Sequence, residues 1–262
     1  MDHLRLDRRG RVATVTFDRP DQLNAMNARM MGEITATFEA LSEDAGTGAI
    51  VVTGAGRAFM AGADIKEYAA RTEAQFDAFQ AAGERMYRAI EDNHKPVIAA
   101  VNGYALGGGF ELVLVCDIVI ASQQARFGLP EIRLGLVPGG GGTQRSVRKL
   151  GRNRAQHMLL TGGVFPAAEF VACGLVQEIT EPDALLDRAG EIAGQIAGAP
   201  PDAVEALKRL AAMALLPDPA IGIAAERATV GRLFRSPEGI ARVRRFAEES
   251  AARAAAKAKG TG

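Results

Sequence analysis

At 262 residues, 48% of them hydrophobic, the chain is long enough to bury a large core as one domain or as a domain with an appendage. Lysine plus arginine equals aspartate plus glutamate at 31 each, so no net field exists to gather a polyanion or to hold the protein on an anionic membrane. Nucleic acid is disfavoured as a main partner. The opening MDHLRLDRRG lacks the apolar region of a signal peptide, and no run of about 18 uncharged apolar residues suggests a membrane span. The expected location is the cytoplasm.

RVATVTF, from Arg11 to Phe17, alternates apolar and polar residues as a half-buried strand does. Met30, Ile34, Phe38 and Leu41 then recur at helical spacing. AIVVTG (Ala49 to Gly54), PVIAAV (Pro96 to Val101) and DIVIA (Asp117 to Ala121) are short continuous apolar runs, the pattern of strands buried on both faces. Strands alternating with helices predict an α/β fold. After about Gly198 the composition turns to alanine, leucine, arginine and glutamate, punctuated by Pro200, Pro201, Pro217, Pro219 and Pro237. This predicts a core of residues 1–198 and an all-helical unit of residues 199–262. The apolar residues Ile221, Ile223, Val230, Leu233, Phe234, Ile240, Val243 and Phe246 of that unit need a partner, either the core or another subunit. The final AARAAAKAKGTG has no large apolar residue and is expected to fray.

Cys116 and Cys173 stand apart in apolar surroundings and read as buried, unpaired thiols. His3, His94 and His157 lack HxH or HExxH spacing, so no metal site is expected. The glycine clusters do not fit phosphate loops: GAGRAF has Phe59 where GxGxxG needs its third glycine, and GxxxxGK[ST] is absent. Bare glycine instead exposes a backbone N–H. In LGGGFELVLVC the glycines Gly107, Gly108 and Gly109 run into a segment able to form a short buried helix, which puts their amides at the positive end of its dipole. In FMAGADIKEY a tight turn at Ala61, Gly62 and Ala63 precedes a second helix start, with Asp64 and Glu67 at capping-box spacing. Two such amides suit polarisation of one carbonyl; tight turns with close packing are the structural alternative. Glu111 and Glu131 are carboxylates in apolar or glycine-rich stretches, which is costly unless they are paired or functional. A salt bridge from Glu131 to Arg133 or Arg145, and a helix-start role for Glu111, remain open alternatives, and spacing does not show that the two glutamates converge.

Taken together, FMAGADIKE, KPVIAAVNGYALGGGFEL, CDIVIAS, RFGLPEIRLGLVPGGGGTQR and LLTGGVFPAAEFVACGLVQEI resemble the enoyl-CoA hydratase (crotonase) family in order and spacing. The resemblance runs from about Leu4 to Glu181 and more loosely through the helical tail. It implies an α/β crotonase-type spiral of repeated β-β-α units followed by a C-terminal all-helical trimerisation region, assembled as a homotrimer or a dimer of trimers. It implies an oxyanion hole from the backbone N–H groups of Ala63 and Gly108, and catalytic carboxylates at Glu111 and Glu131. Gly139 corresponds to a glycine near the reacting end of the substrate. The stretch including Leu23, Ala25 and Met26, with Ala61, Gly62, Asp64 and Ile65, corresponds to segments lining coenzyme A, and Gly107 adjoins the oxyanion turn. The implied activity is hydration of 2-enoyl-CoA thioesters, with coenzyme A present only as part of the substrate and no separate cofactor. Alternatives are another reaction of the family on an acyl-CoA, namely isomerisation, thioester hydrolysis or decarboxylation, or a non-catalytic acyl-CoA-binding oligomer. Three positions depart from the pattern. Met60 and Phe110 stand where smaller residues are usual and are expected to crowd the acyl pocket. Glu249, in FAEES, occupies a position usually basic in hydratases, leaving Arg242, Arg244 or Arg245 as candidates to meet the CoA phosphates.

Overall fold

The apolar runs become strands because each can be buried on both sides. The computed structural model describes residues 1–64, 67, 72–215, 219–242, 245 and 248. Ile65, Pro217, Val243, Arg244, Phe246, Glu249, the side chain of Phe234 and the terminal stretch from residue 251 lie outside the described residues, and so do the expectations that fall on them. The chain forms two compact units, Met1–Ala199 and Pro200–Gly262.

In the first unit the strands are, in chain order, β1 (Leu4–Arg9), β2 (Val12–Phe17), β3 (Ala49–Gly54), β4 (Ala58–Met60), β5 (Val97–Val101), β6 (Tyr104–Leu106), β7 (Ile118–Ser122), β8 (Arg126–Gly128), β9 (Val164–Pro166) and β10 (Glu178–Thr180). They separate into a six-stranded sheet ordered β1-β2-β3-β5-β7-β10 and a four-stranded sheet ordered β4-β6-β8-β9. The β1–β2 and β8–β9 pairs are antiparallel; the others are parallel, with Val52 opposite Ala99 and Ala99 opposite Val119. Strands therefore alternate between the sheets along the chain: β3 then β4, β5 then β6, β7 then β8. Helical chain follows each pair, which makes each a β-β-α turn of the expected spiral.

Among the described residues of this unit the α-helices are α1 (Ala28–Glu43), α2 (Glu73–Glu91), α3 (Gly108–Val115), α4 (Gly142–Leu150), α5 (Arg152–Thr161) and α6 (Leu185–Ala197). Helix α1 starts where the Asn27 side chain accepts the Met30 N–H at 2.8 Å, and it buries the expected Met30, Ile34, Phe38 and Leu41. A capping box at Thr72 and Gln75 opens α2. Of the earlier pair noted in the sequence, Asp64 meets Arg19 and Glu67 accepts the Ala28 N–H at 3.3 Å.

Strand periodicity divides the core. Ile50, Val52, Val97, Ala99 and Val119 join the main cluster with α1 and α3, while Ala49, Val51, Ile98, Ala100 and Ile120 face Leu185, Ala189, Ala193 and Ala197 of α6. Each fully buried valine, leucine or isoleucine among them is worth about 1.5–3 kcal/mol. The alanines, four residues apart, bring α6 close: a Cβ on Gly48 would lie 2.8 Å from Ala197 Cβ. Cys116 is a buried thiol, whereas Cys173 is only partly buried.

The second unit contains α7 (Pro201–Met213) and α8 (Pro219–Arg235), as its proline punctuation predicts. Leu207, Leu215, Ile221, Ile223 and Val230 are exposed, at 52–69% of their full area.

Helix α3 passes so close to β4 that a Cβ on Gly109 would sit 2.0 Å from the Met60 carbonyl oxygen. Gly109→Ala must therefore move backbone rather than a side chain. It is expected to lower the unfolding free energy by about 1–3 kcal/mol, measured by urea denaturation.

Candidate active site

Two turns meet at the start of α3. Gly62 has φ +103°, and a Cβ there would lie 3.1 Å from the Leu106 carbonyl oxygen, so the Gly62–Ala63 turn rests on Leu106–Gly107. Gly107, with φ +51°, caps α3. Ala63 forms a parallel bridge with Met26, in which Gly62 O accepts the Met26 N–H at 2.8 Å and the Asp64 N–H reaches Met26 O at 2.9 Å. In that pattern the N–H of Ala63 itself turns the other way. Neither it nor the first-turn N–H of Gly108 has an acceptor among the described residues. Both residues border one cavity of about 220 Å³.

Glu111 projects into that cavity from the first turn of α3 and is only 3% exposed. Its Oε1 accepts the N–H groups of Gly140 and Gly142, both at 2.7 Å. Its Oε2 lies 3.4 Å from the Tyr87 hydroxyl, which also donates to Gly108 O at 3.0 Å. Burial pushes the Glu111 carboxyl above its usual range, and the amides of Gly142 and Gly140, the Tyr87 hydroxyl and the Arg145 charge oppose that rise. Glu131 enters from the short 3₁₀ turn Pro130–Leu134 after β8. Its Oε1 is so near the turn at Gly107 that a Cβ there would come within 2.8 Å, and its buried Oε2 has no hydrogen-bond partner among the described residues. Burial raises its pKa to about 7; the hydrogen bond from its own backbone lowers it, and the Glu111 charge adds to the rise. The salt bridge left open from sequence does not form. Arg145 is engaged by Glu91, with Nε to Oε1 at 2.8 Å and Nη2 to Oε2 at 2.5 Å, and its Nη1 donates to Gly140 O at 2.7 Å.

Met26, Ala61, Gly62, Gly107 and Gly139 line the same cavity. Leu23, Ala25 and Asp64 do not; they build the adjoining turn. Leu23, at φ 53°, accepts the Ala61 N–H at 3.0 Å, and the Arg19 guanidinium joins Ala25 O to Asp64. Ile65 lies outside the described residues. Met60 and Phe110 are fully buried and do not border the cavity, so the expected crowding is absent: Phe110 turns away to stack on Phe127, with ring centroids 5.0 Å apart.

Sequence reasoning missed Phe79, Gln80, Gly83 and Tyr87 on α2, the loop residues Leu134, Leu136 and Val137, and the amides of Gly140 and Gly142. Phe79, Gly83, Tyr87 and Ile90 recur at helical spacing. That signal finds the buried face but not the cavity. No cluster of three or more His, Cys, Asp or Glu able to hold a metal ion occurs among the described residues.

Two amides without an acceptor among the described residues, beside two carboxylates of raised pKa, form a site able to polarise a carbonyl and to move protons next to it. The model of the family described as enoyl-CoA hydratase/isomerase matches residues 7–253. Similar proteins include a short-chain-enoyl-CoA hydratase of Clostridium acetobutylicum, 38% identical over 91% of this chain and 92% of that protein. A probable enoyl-CoA hydratase of Rhizobium meliloti is 44% identical over 74% of this chain and 75% of its own length. The crystal structure of an enoyl-CoA hydratase from Bacillus anthracis superimposes with a TM-score of 0.91 at 33% identity, covering 94% of this chain and 96% of that one. The chain belongs to the enoyl-CoA hydratase/isomerase family.

Because the folded pKa of Glu131 lies above the ordinary glutamate value of about 4.5, folding favours its protonated form. Its contribution to stability is complete below about pH 4.5 and is lost as pH rises toward about 7. Denaturant titrations across that window should show the decline, and Glu131→Gln should flatten it.

Proposed function

We infer that the protein adds water across the double bond of a 2-enoyl-CoA thioester to give the 3-hydroxyacyl-CoA. The observation that carries this reading is the convergence of the Ala63 and Gly108 amides with Glu111 and Glu131 on one cavity. Family membership and the similarity to proteins named as enoyl-CoA hydratases support it.

In this reading the thioester oxygen accepts the N–H groups of Ala63 and Gly108. Attack at the β-carbon moves charge onto that oxygen, where two preorganised amides hold it; one such donor is worth about 3 kcal/mol in comparable sites. Glu111, supplied with two amide donors, is the ionised partner and takes the proton of the attacking water. Glu131, its pKa raised to about 7, is still partly protonated near neutral pH, and its protonated form delivers the proton to the α-carbon. The two titrate as a pair, and proton exchange with solvent resets them for the next cycle. Neither a metal nor a nicotinamide is required. The cavity face formed by Met26, Phe79, Leu134 and Val137 suits the acyl chain, and the turns around Leu23–Met26 and Ala61–Asp64 suit the coenzyme A portion.

We assign residues 199–262 the role of oligomer interface, because Leu207, Leu215, Ile221, Ile223 and Val230 expose more apolar surface than a free appendage sustains. On this reading the protein is a trimer or a dimer of trimers working in the cytoplasm. Sedimentation is expected to give three subunits or a multiple of three, and a monomer at micromolar concentration would remove the assignment.

Loss of the conjugated thioester absorbance of crotonyl-CoA measures hydration directly. Glu111→Gln and Glu131→Gln are each expected to lower kcat about 100- to 10,000-fold while acyl-CoA binding persists, and their effects should be far from additive. Binding without absorbance loss in the parent protein would instead point to a non-catalytic acyl-CoA-binding oligomer.

A further inference from the structure

Tyr87 is a buried ionisable group to which the mechanism above gives no task. Its ring is held between two glycines that serve different parts of the site. A Cβ on Gly140 would lie 2.1 Å from Tyr87 Cε2, and one on Gly108 would lie 2.9 Å from its hydroxyl oxygen. The hydroxyl has a single proton and two acceptors within reach: Gly108 O at 3.0 Å, on the oxyanion turn, and Glu111 Oε2 at 3.4 Å. Oε1 of Glu111 is already satisfied by Gly140 and Gly142, so Tyr87 is the donor that addresses the second oxygen.

We propose that Tyr87 is a positioning residue for the hydration reaction, its one hydroxyl proton shared between the Gly108 carbonyl and the Glu111 carboxylate so that Glu111 is held ionised and aligned with the oxyanion turn. The proposal rests on the hydratase reading. When Glu111 is ionised, a charge-assisted hydrogen bond draws the hydroxyl proton to Oε2; once Glu111 has taken a proton from water, the hydroxyl falls back on Gly108 O. Glu111 is faced by Tyr87 from α2, by Arg145 from α4, by Glu131 from the 3₁₀ turn and by the two glycine amides. Tyr87 is faced by Glu111, Glu131 and Arg145. Of these, Arg145 is bound by Glu91, which leaves the hydroxyl as the adjustable donor to the base.

The test compares pH profiles of kcat/KM for crotonyl-CoA hydration in the parent, in Tyr87→Phe, and in protein with 3-fluorotyrosine, a more acidic phenol and stronger donor, at position 87. Removing the donor destabilises ionised Glu111, so in Tyr87→Phe the acid limb is expected to move up by about 0.5–1 pH unit, a roughly 3- to 10-fold loss below the limb. The basic limb, set by Glu131, should stay in place. The fluorinated protein should shift the acid limb the other way. Thermal melting checks that the phenylalanine ring still fills its slot, and the fluorotyrosine arm remains informative if it does not. Acid limbs that coincide in all three proteins, or a uniform loss of rate across the pH range, would overturn the proposal. A parent protein that does not hydrate crotonyl-CoA would overturn the hydratase reading instead.

Discussion

The hydrogen bonds from the Gly140 and Gly142 amides to Glu111 Oε1 hold the site together. A carboxylate that is 3% exposed is expensive to leave unpaired, so the loop carrying those amides and helix α3 carrying the glutamate have strong reason to stay in contact. The loop is fixed in turn by Arg145, which grips Gly140 O and reaches across to Glu91 at the end of α2. Helices α2, α3 and α4 are thereby tied around one charge.

This constraint explains glycines that turn geometry alone does not. Gly140 has no unusual φ, yet a Cβ there would lie 2.1 Å from Tyr87 Cε2 and 2.7 Å from Glu111 Oε2, and one on Gly142 would lie 2.9 Å from Glu111 Oε1. These positions are bare because backbone is the ligand. Gly109 is bare for a different reason, the approach of α3 to the Met60 carbonyl, which seats the start of α3 against the second sheet. The geometry of the cavity and the packing of the core share the same few residues, so a single added methyl disturbs both.

The two glutamates are chemically identical but unequally served. Glu111 accepts two amide hydrogen bonds and faces a phenol; Glu131 has one buried oxygen without a partner among the described residues, and its pKa rises to about 7. Unequal hydrogen bonding around two buried carboxyls gives them different environments although their chemistry is the same.

Much of the fold was legible before any coordinates. The continuous apolar runs at 49–54 and 97–101 had to be strands buried on both faces, and the step-of-four pattern from Met30 to Leu41 had to be a helix, because periodicity is a local property of the chain. The glycine turns at 62 and 107 were legible as places where backbone is exposed, and the family motifs named Glu111 and Glu131. Sequence alone did not reveal that Phe110 faces Phe127 rather than the cavity, that Arg145 answers Glu91 rather than Glu131, or that Tyr87 lies within reach of Glu111. Those outcomes depend on which faces of separate elements meet. Periodicity fixes the buried side of each helix or strand, whereas the neighbour it finds there is chosen only when two sheets and the helices between them close around a common core.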